Sequence, residues 1–434
     1  FDKTEIAIER GYEAIMSKSS RLAQFASRSA TTPPRPGHFQ PPVITGIEVD
    51  NETRVSDRLI RAQIRQAIGK RLDESQLRHD IDTIYGYEYF DSVFYDIIPG
   101  ENGSVLRVSA REQSRSRNLL GISFELFSDT GTESGYNLGA SFRKSDVTTR
   151  GGEWFTAAQV GQDPRIRTEF YLPLDFRQHY FLRPYIEYGE RRFNQIAAEN
   201  IDARFRINEL LYGLFAGYEI SNKAIAGFGY ERHDGDIKSY VGSGPSGEFD
   251  DSLNYLLAEY DDVDSISFPH EGTLATLRYD FVDPSGAPRY NMFDARVLHA
   301  FPVGGQSIVF SGRYHRSGSL FVSRHLQPSL GGFGNLSGLH RDSLVGNNLT
   351  YVGVTWLHRL TERRLLPVDL PVYLALSIEA GNTWQDSADI DAGDLIYGGL
   401  LSLGVDTPFG PVYLGYGRAE IGNGTFYIRL GHLF

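Results

Sequence analysis

From residue 119 to the end, apolar and polar residues alternate in short segments, and no apolar run is long enough to cross a membrane as a helix. In LGISFELF, Leu120, Ile122, Phe124 and Leu126 fall on one side, with Gly121, Ser123 and Glu125 on the other. YNLGASFR sets Tyr136, Leu138, Ala140 and Phe142 against Asn137, Gly139, Ser141 and Arg143. A period of two is that of a strand with two different faces. The best apolar stretch, Leu210 to Tyr218, is about half the ~18 residues a membrane helix needs and is broken by Gly. A helical membrane protein is excluded; a membrane-spanning barrel is not.

Sixteen such segments start near residues 119, 135, 152, 165, 180, 201, 223, 251, 272, 291, 307, 348, 371, 395, 411 and 425. Each has roughly 20 residues of chain, which matches a tilted spanning strand of about 9 to 11 residues plus its connection. The even count predicts a mainly β fold in which residues 119–434 form a 16-stranded antiparallel transmembrane β-barrel. A soluble sandwich or propeller would alternate too. Two features weigh against it. Aromatics gather near segment ends, as at Tyr171, Tyr180, Tyr260 and Tyr416, like interfacial girdles. Arg and Glu also recur inside strands, as in IDARFRINE (residues 201–209), where a wet lumen would host them and a dry core would not.

A net charge of -12 argues against nucleic acid as a partner and against a polybasic membrane-surface protein. With no Cys there is no disulfide framework, thiolate metal site or cysteine nucleophile. The opening FDKTEIAIERGYEAI has no charged region followed by an apolar one, so it does not read as a signal peptide, and the chain is expected to be part of a longer precursor.

Residues 1–30 space Ile6, Ile8, Tyr12, Ile15, Met16, Leu22 and Phe25 as an amphipathic helix. Residues 31–43 form a linker, with five prolines between Thr31 and Pro42. Residues 44–113 read as one small α+β domain of order β-α-α-β-β. A strand covers Ile44 to Asn51. Ser56 caps a helix with Leu59, Ile60, Ile64 and Ile68 on its apolar face, and Asp73 caps a second one, with Gln76 as capping-box partner and Leu77, Ile81, Ile84 and Tyr85 as its stripe. Ser92 to Pro99 and Val105 to Glu112 supply two further strands.

Three stretches carry a family resemblance: GGFGNLSGLHRDSLVGNN (Gly331 to Asn348), LSIEAGNTW (Leu376 to Trp384) and LGVDTPFGPVYLGYG (Leu403 to Gly417). The chain resembles the superfamily of outer-membrane insertases and two-partner secretion transporters, whose 16-stranded barrels follow POTRA domains. The resemblance implies that the first stretch is the long sixth extracellular loop, folded into the lumen, and that residues 44–113 are a single POTRA domain in the periplasm. It implies a bacterial outer-membrane location, and Phe426, Ile428, Leu430 and Phe434 as a C-terminal signal read by the barrel assembly machinery.

The loop tip departs from the family. Where most members carry Arg-Gly, this chain has Leu336, Ser337, Gly338 and Leu339. The family's arginine pairs with a carboxylate on the barrel wall, here Glu379, which alternation places in the lumen because Leu374, Leu376 and Ile378 would face lipid. Ser337 cannot make an ion pair, so Arg341 is the expected substitute. An LSG tip with one POTRA is similar to the patatin-type type V secretion proteins, and the opening residues look like the closing helix of a patatin domain. That resemblance implies an upstream patatin-like phospholipase with a Ser-Asp dyad, absent from this chain, for which the barrel is anchor or conduit. The alternatives are a stand-alone exporter or insertase, with residues 3–29 as a lumenal plug, and a barrel enzyme with a site at the rim.

No catalytic residue is expected in this chain. GSGPSGE (Gly242 to Glu248) lacks the helix a Ser elbow needs, and Asp234-Gly235 reads as a hairpin turn. His315, His325, His340 and His358 show no HExxH spacing, and Glu259 to Ser265 reads as solvated acid, so no metal or cofactor is expected. The expected partners are outer-membrane lipids, the passenger in cis and the assembly machinery, with a homodimer through a lipid-facing flank and no nucleic acid.

Overall fold

In a computed structural model, the described residues are 41–87, 89–112, 118–130, 133–197, 200–243, 246–360 and 370–431, with Arg10, Tyr12, Met16 and Lys18. The helix expected over 1–30, most of the linker and Phe434 lie outside them. The first unit contains β1 (Ile44–Asn51), α1 (Asp57–Gln63), α2 (Glu74–Tyr85), β2 (Phe90–Gly100) and β3 (Gly103–Glu112). Its sheet has the order β1-β3-β2, with β1 parallel and β2 antiparallel to β3. The alternating residues Leu106, Val108 and Ala110 of β3 face the helices and close a core with Ile44, Leu59, Ile60, Leu77, Ile84 and Phe90.

Both expected caps form: the Ser56 side chain accepts from the Arg58 N–H and that of Asp73 from the Gln76 N–H. The capping box does not. The Gln76 amide donates instead to the buried Asp80 at 2.8 Å, and Gln66 Oε1 accepts from the Asp73 N–H at 3.0 Å. Asp80 also ends α1 early. Its carboxylate accepts the Arg65 N–H at 2.7 Å, which turns the chain out of the helix at Ile64, so Ile68 is exposed rather than on an apolar helix face.

The barrel follows: β4 (Asn118–Asp129), β5 (Glu133–Thr148), β6 (Gly151–Gly161), β7 (Arg165–Pro173), β8 (Tyr180–Ala197), β9 (Asn200–Ser221), β10 (Ala224–Val241), β11 (Gly247–Asp261), β12 (Gly272–Asp283), β13 (Tyr290–Val303) and β14 (Gln306–Ser317). Inside the next connection lie β15 (Ser329–Leu330) and β16 (Leu344–Val345), which pair only with each other. The wall resumes with β17 (Asn348–Arg359), β18 (Val372–Trp384), β19 (Ile396–Val405), β20 (Val412–Ala419) and β21 (Thr425–Leu430). Sixteen strands pair antiparallel with their chain neighbours, and β21 closes on β4. Closure gives every wall strand two neighbours, the condition for β-structure in a bilayer. The outer face carries Leu120, Ile122, Val160 and Ile378, each more than half exposed, which suits hydrocarbon and not water.

Three sequence expectations for the wall need correction. Asp234-Gly235 lies inside β10, paired on both sides, and not in a hairpin turn. Tyr180, Tyr260 and Tyr416 are exposed, but Tyr171 turns inward, against Phe181 at a ring distance of 4.9 Å and toward Glu219 at 3.3 Å. In residues 201–209 Glu209 does face inward, but with the buried Phe205 and Ile207, while Arg206 pairs with Glu190 at 3.5 Å on the other face. The strands β8 and β9 are long enough to overrun the membrane band, so water is available to those charges on the outside.

The first unit docks on the barrel rim at the β5–β6 turn. The Ser56 N–H donates to the Thr149 carbonyl at 2.7 Å, and the Gly152 N–H to the buried Tyr89 hydroxyl at 3.1 Å. Burial pushes the Tyr89 hydroxyl up to about 12, because the phenolate would be poorly solvated. A raised phenol pKa favours the protonated form in the fold, so this contribution is complete below pH 10 and fades as pH rises through about 12. Y89F is expected to lower stability by about 1 kcal/mol and to lose that alkaline dependence. Melting curves of both proteins between about pH 9 and pH 12 check this, parallel pH profiles being the contrary result.

Candidate functional site: the lumenal loop latch

The connection 318–347 folds back into the barrel because its apolar residues find a partner there. Leu330, Leu336 and Leu339 pack with Leu349, Tyr351 and Ala419 of the wall. The tip is tightly turned, with Leu336 at φ 68° and Gly338 at φ 101°. A Cβ on Gly338 would lie 2.2 Å from the Ala419 nitrogen, and one on Gly417 would lie 2.6 Å from the Gly338 nitrogen. Two missing side chains thus let loop backbone touch strand backbone.

At this distance the backbone itself performs the recognition. The Ser337 N–H donates to Glu379 Oε2 at 2.6 Å and its hydroxyl to Oε1 at 3.0 Å, while the Ser377 hydroxyl donates to the same Oε1. Ser337 Oγ also accepts from the Gly334 N–H at 2.9 Å. One residue on, the Gly338 N–H donates to the Tyr427 hydroxyl at 2.9 Å, which donates onward to the Leu339 carbonyl at 3.1 Å. Ser337, Glu379 and Tyr427 are all at most 2 % exposed. The carboxylate is held by three neutral donors, and hydrogen bonds to a charged group are worth about 1.5–3 kcal/mol each.

Glu379 faces the lumen while Ile378 is 74 % exposed on the outside. The expected Arg341–Glu379 pair does not form. Arg341 lies beyond the turn, 3.5 Å from Asp163 and 3.7 Å from Asp342, with its guanidinium 5.9 Å from the Phe127 ring centre. A long cationic side chain is needed only if the tip stops short of the wall; here the tip reaches it, and Ser337 fills the role. Beside the latch a cavity of about 390 Å³ remains, lined by Glu125, Asp163, Arg165, Glu187, Arg341 and Arg429. Of the C-terminal residues, Phe426 and Ile428 point outward, 59 % and 46 % exposed.

Sequence reading missed a second set of residues. On β10, Glu231 and His233 face inward because Phe228 and Tyr230 face out. Glu231 binds Arg278 and the Tyr185 hydroxyl, and His233 Nδ1 lies 2.7 Å from Glu209 Oε1. Alternation marks these as lumenal; only register and the returning loop bring them together.

The family model for the Omp85 superfamily domain matches residues 134–434. No curated protein matches the chain by sequence. Among solved structures, BamA from Haemophilus ducreyi lacking POTRA domains 1-3 is similar at 14% identity and a TM-score of 0.66, over 90% of this chain and 85% of that one. CdiB from Acinetobacter baumannii is similar at 12% identity and a TM-score of 0.61, over 90% and 74%. CdiB from Escherichia coli is similar at 12% identity and a TM-score of 0.53, over 98% of both chains. The barrel, its inward-folded loop latched to Glu379 and the matched domain agree: the chain belongs to the Omp85 superfamily of outer-membrane β-barrels.

Proposed function

We propose that this barrel handles polypeptide, inserting or delivering a passenger chain, and that the passenger is a patatin-like lipase domain upstream in the same polypeptide. The observation that carries the polypeptide reading is the β4–β21 seam. Among the described residues it holds four residue pairs, Tyr427↔Asp129 to Leu430↔Leu126, where β20–β21 holds six and β9–β10 seventeen. Gly431, just after the last described pair, has φ 77°. Among the described residues this is the shortest seam of the wall, where opening would admit a strand from the lumen into the bilayer, and the first unit offers the β2 edge to an incoming segment.

The lipase passenger is supported by the Leu336-Ser337-Gly338 tip combined with one POTRA-like unit, and by the opening residues. On this reading the unit lies in the periplasm, and hydrolysis belongs to the upstream domain. Intact mass and N-terminal sequence of the native membrane protein test it. The expected result is at least one further domain, on the order of 100 residues or more, containing a Ser elbow. A native chain starting near Phe1 would leave the exporter or insertase reading in its place.

The seam itself is testable because the chain has no cysteine of its own. Ser128 and Ile428 are paired across it, so S128C/I428C is expected to form a disulfide under oxidation. Delivery should fall at least about tenfold when oxidised and recover on reduction, whereas full activity of the cross-linked protein would exclude opening at this seam.

A further inference from the structure

We propose that Glu209, His233 and His325 form a site for a divalent transition metal of the zinc class, which clips the long connection to the barrel wall. Glu209 comes from β9, His233 from β10 and His325 from the short helical turn Arg324–Leu326 inside the 318–347 connection. One ligand atom from each lies within 4.8 Å of the others. Tetrahedral zinc binds imidazole and carboxylate at about 2.0–2.2 Å, so the three side chains need to close by only about an ångström.

The second observation is the state of His325. Its side chain is fully buried, yet neither ring nitrogen has a hydrogen-bond partner among the described residues. His233 Nε2 is likewise buried without a hydrogen bond, its nearest acceptor being Glu231 Oε2 at 3.5 Å. Burying such atoms without a hydrogen bond is costly, and a metal ion removes the cost by taking one ring nitrogen's lone pair. The surroundings are those of a ligating histidine. Phe249 stacks on the His325 ring at 4.0 Å and fixes its plane. Asp251 Oδ2 stands 3.6 Å from Nε2, placed to orient that nitrogen's proton while Nδ1 ligates. Arg191, 3.3 Å from Glu209 Oε2, holds the carboxylate in position.

Two imidazoles and one carboxylate select zinc, cobalt or nickel over calcium or magnesium, and leave a fourth position open. Because His325 belongs to the connection and the other two to the wall, the ion fastens the incoming limb of the loop as Glu379 fastens its tip. Sequence spacing alone hides this set, since the residues come from three separate segments.

The test uses the full chain, folded in detergent without a histidine tag, and titrates Co²⁺ and Zn²⁺ alone. The expected result is one ion per chain, with the visible absorption of tetrahedral Co²⁺. H325N and E209Q should each weaken binding by at least about 100-fold, while H79Q, at an exposed histidine of the first unit, leaves it unchanged. Heat-modifiable gel mobility verifies that each variant is folded. Should a variant not fold, X-ray absorption on the wild-type zinc complex decides, two imidazoles in the shell supporting the site. No stoichiometric binding, binding untouched by H325N, or a shell without two imidazoles would overturn it.

Discussion

Gly338→Ala is expected to release the loop tip from the barrel wall. The residue sits at φ 101°, a region that L side chains rarely adopt, and its new Cβ would meet the Ala419 nitrogen at 2.2 Å and the Arg418 carbonyl carbon at 2.3 Å. Neither neighbour can yield, since both belong to a hydrogen-bonded strand. Strain and clash together come to about 3 kcal/mol or more against the latched state, a shift of at least roughly 100-fold in its open population. Tryptic cleavage after Arg341 in the folded barrel reads that population when reclosing is fast. Gly334→Ala is the matched control, because Gly334 is also left-handed, at φ 67°, with nothing within 4 Å of its Cβ position. It should cost about 1–2 kcal/mol. Equal cleavage of the two variants would show that close approach at Gly338 does not hold the tip.

Glu379→Ala should have an effect of similar size by a different route. It strips the acceptor from the Ser337 N–H, the Ser337 hydroxyl and the Ser377 hydroxyl. At least two of these donors then stay buried and unpaired, at about 1–3 kcal/mol each. Glu379→Gln is expected to be milder, about 1–2 kcal/mol. Its Oε1 can face the Ser337 N–H while its amide donates to the two hydroxyls, which reverse their roles. A double-mutant cycle between S337A and E379A, read by the same cleavage, should give a coupling of about 1–3 kcal/mol. Additive effects would mean that the serine and the carboxylate act separately.

The latch shows where local reading succeeds and where it stops. That Glu379 points inward follows from Leu376 and Ile378 on either side of its neighbour, and strand parity survives any arrangement of the rest of the chain. The partner of Glu379 is another matter. By charge, Arg341 is the better candidate, and Ser337 wins because Gly338 and Gly417 allow a backbone approach that no pairing rule for side chains anticipates. Similarly, the helix starts at Ser56 and Asp73 are local, but Asp80, a buried residue of α2, ends α1 early and takes the Gln76 amide from its capping box.

From sequence alone came the mainly β class, the sixteen strands with starts close to those observed, and the face that residues such as Leu120, Ile122, Ile378 and Glu379 present. All three depend on a two-residue period and on turn chemistry, which act over a few residues. The tertiary structure decided which lumenal groups meet. Ser337 and Glu379 are 42 residues apart, and Glu209, His233 and His325 lie on two strands and a returning loop. Their encounter depends on register around a closed ring and on a loop that buries its leucines inside the ring. Neither is encoded within a few residues of the side chains concerned, because register is a property of neighbouring strands and loop placement one of the cavity they enclose.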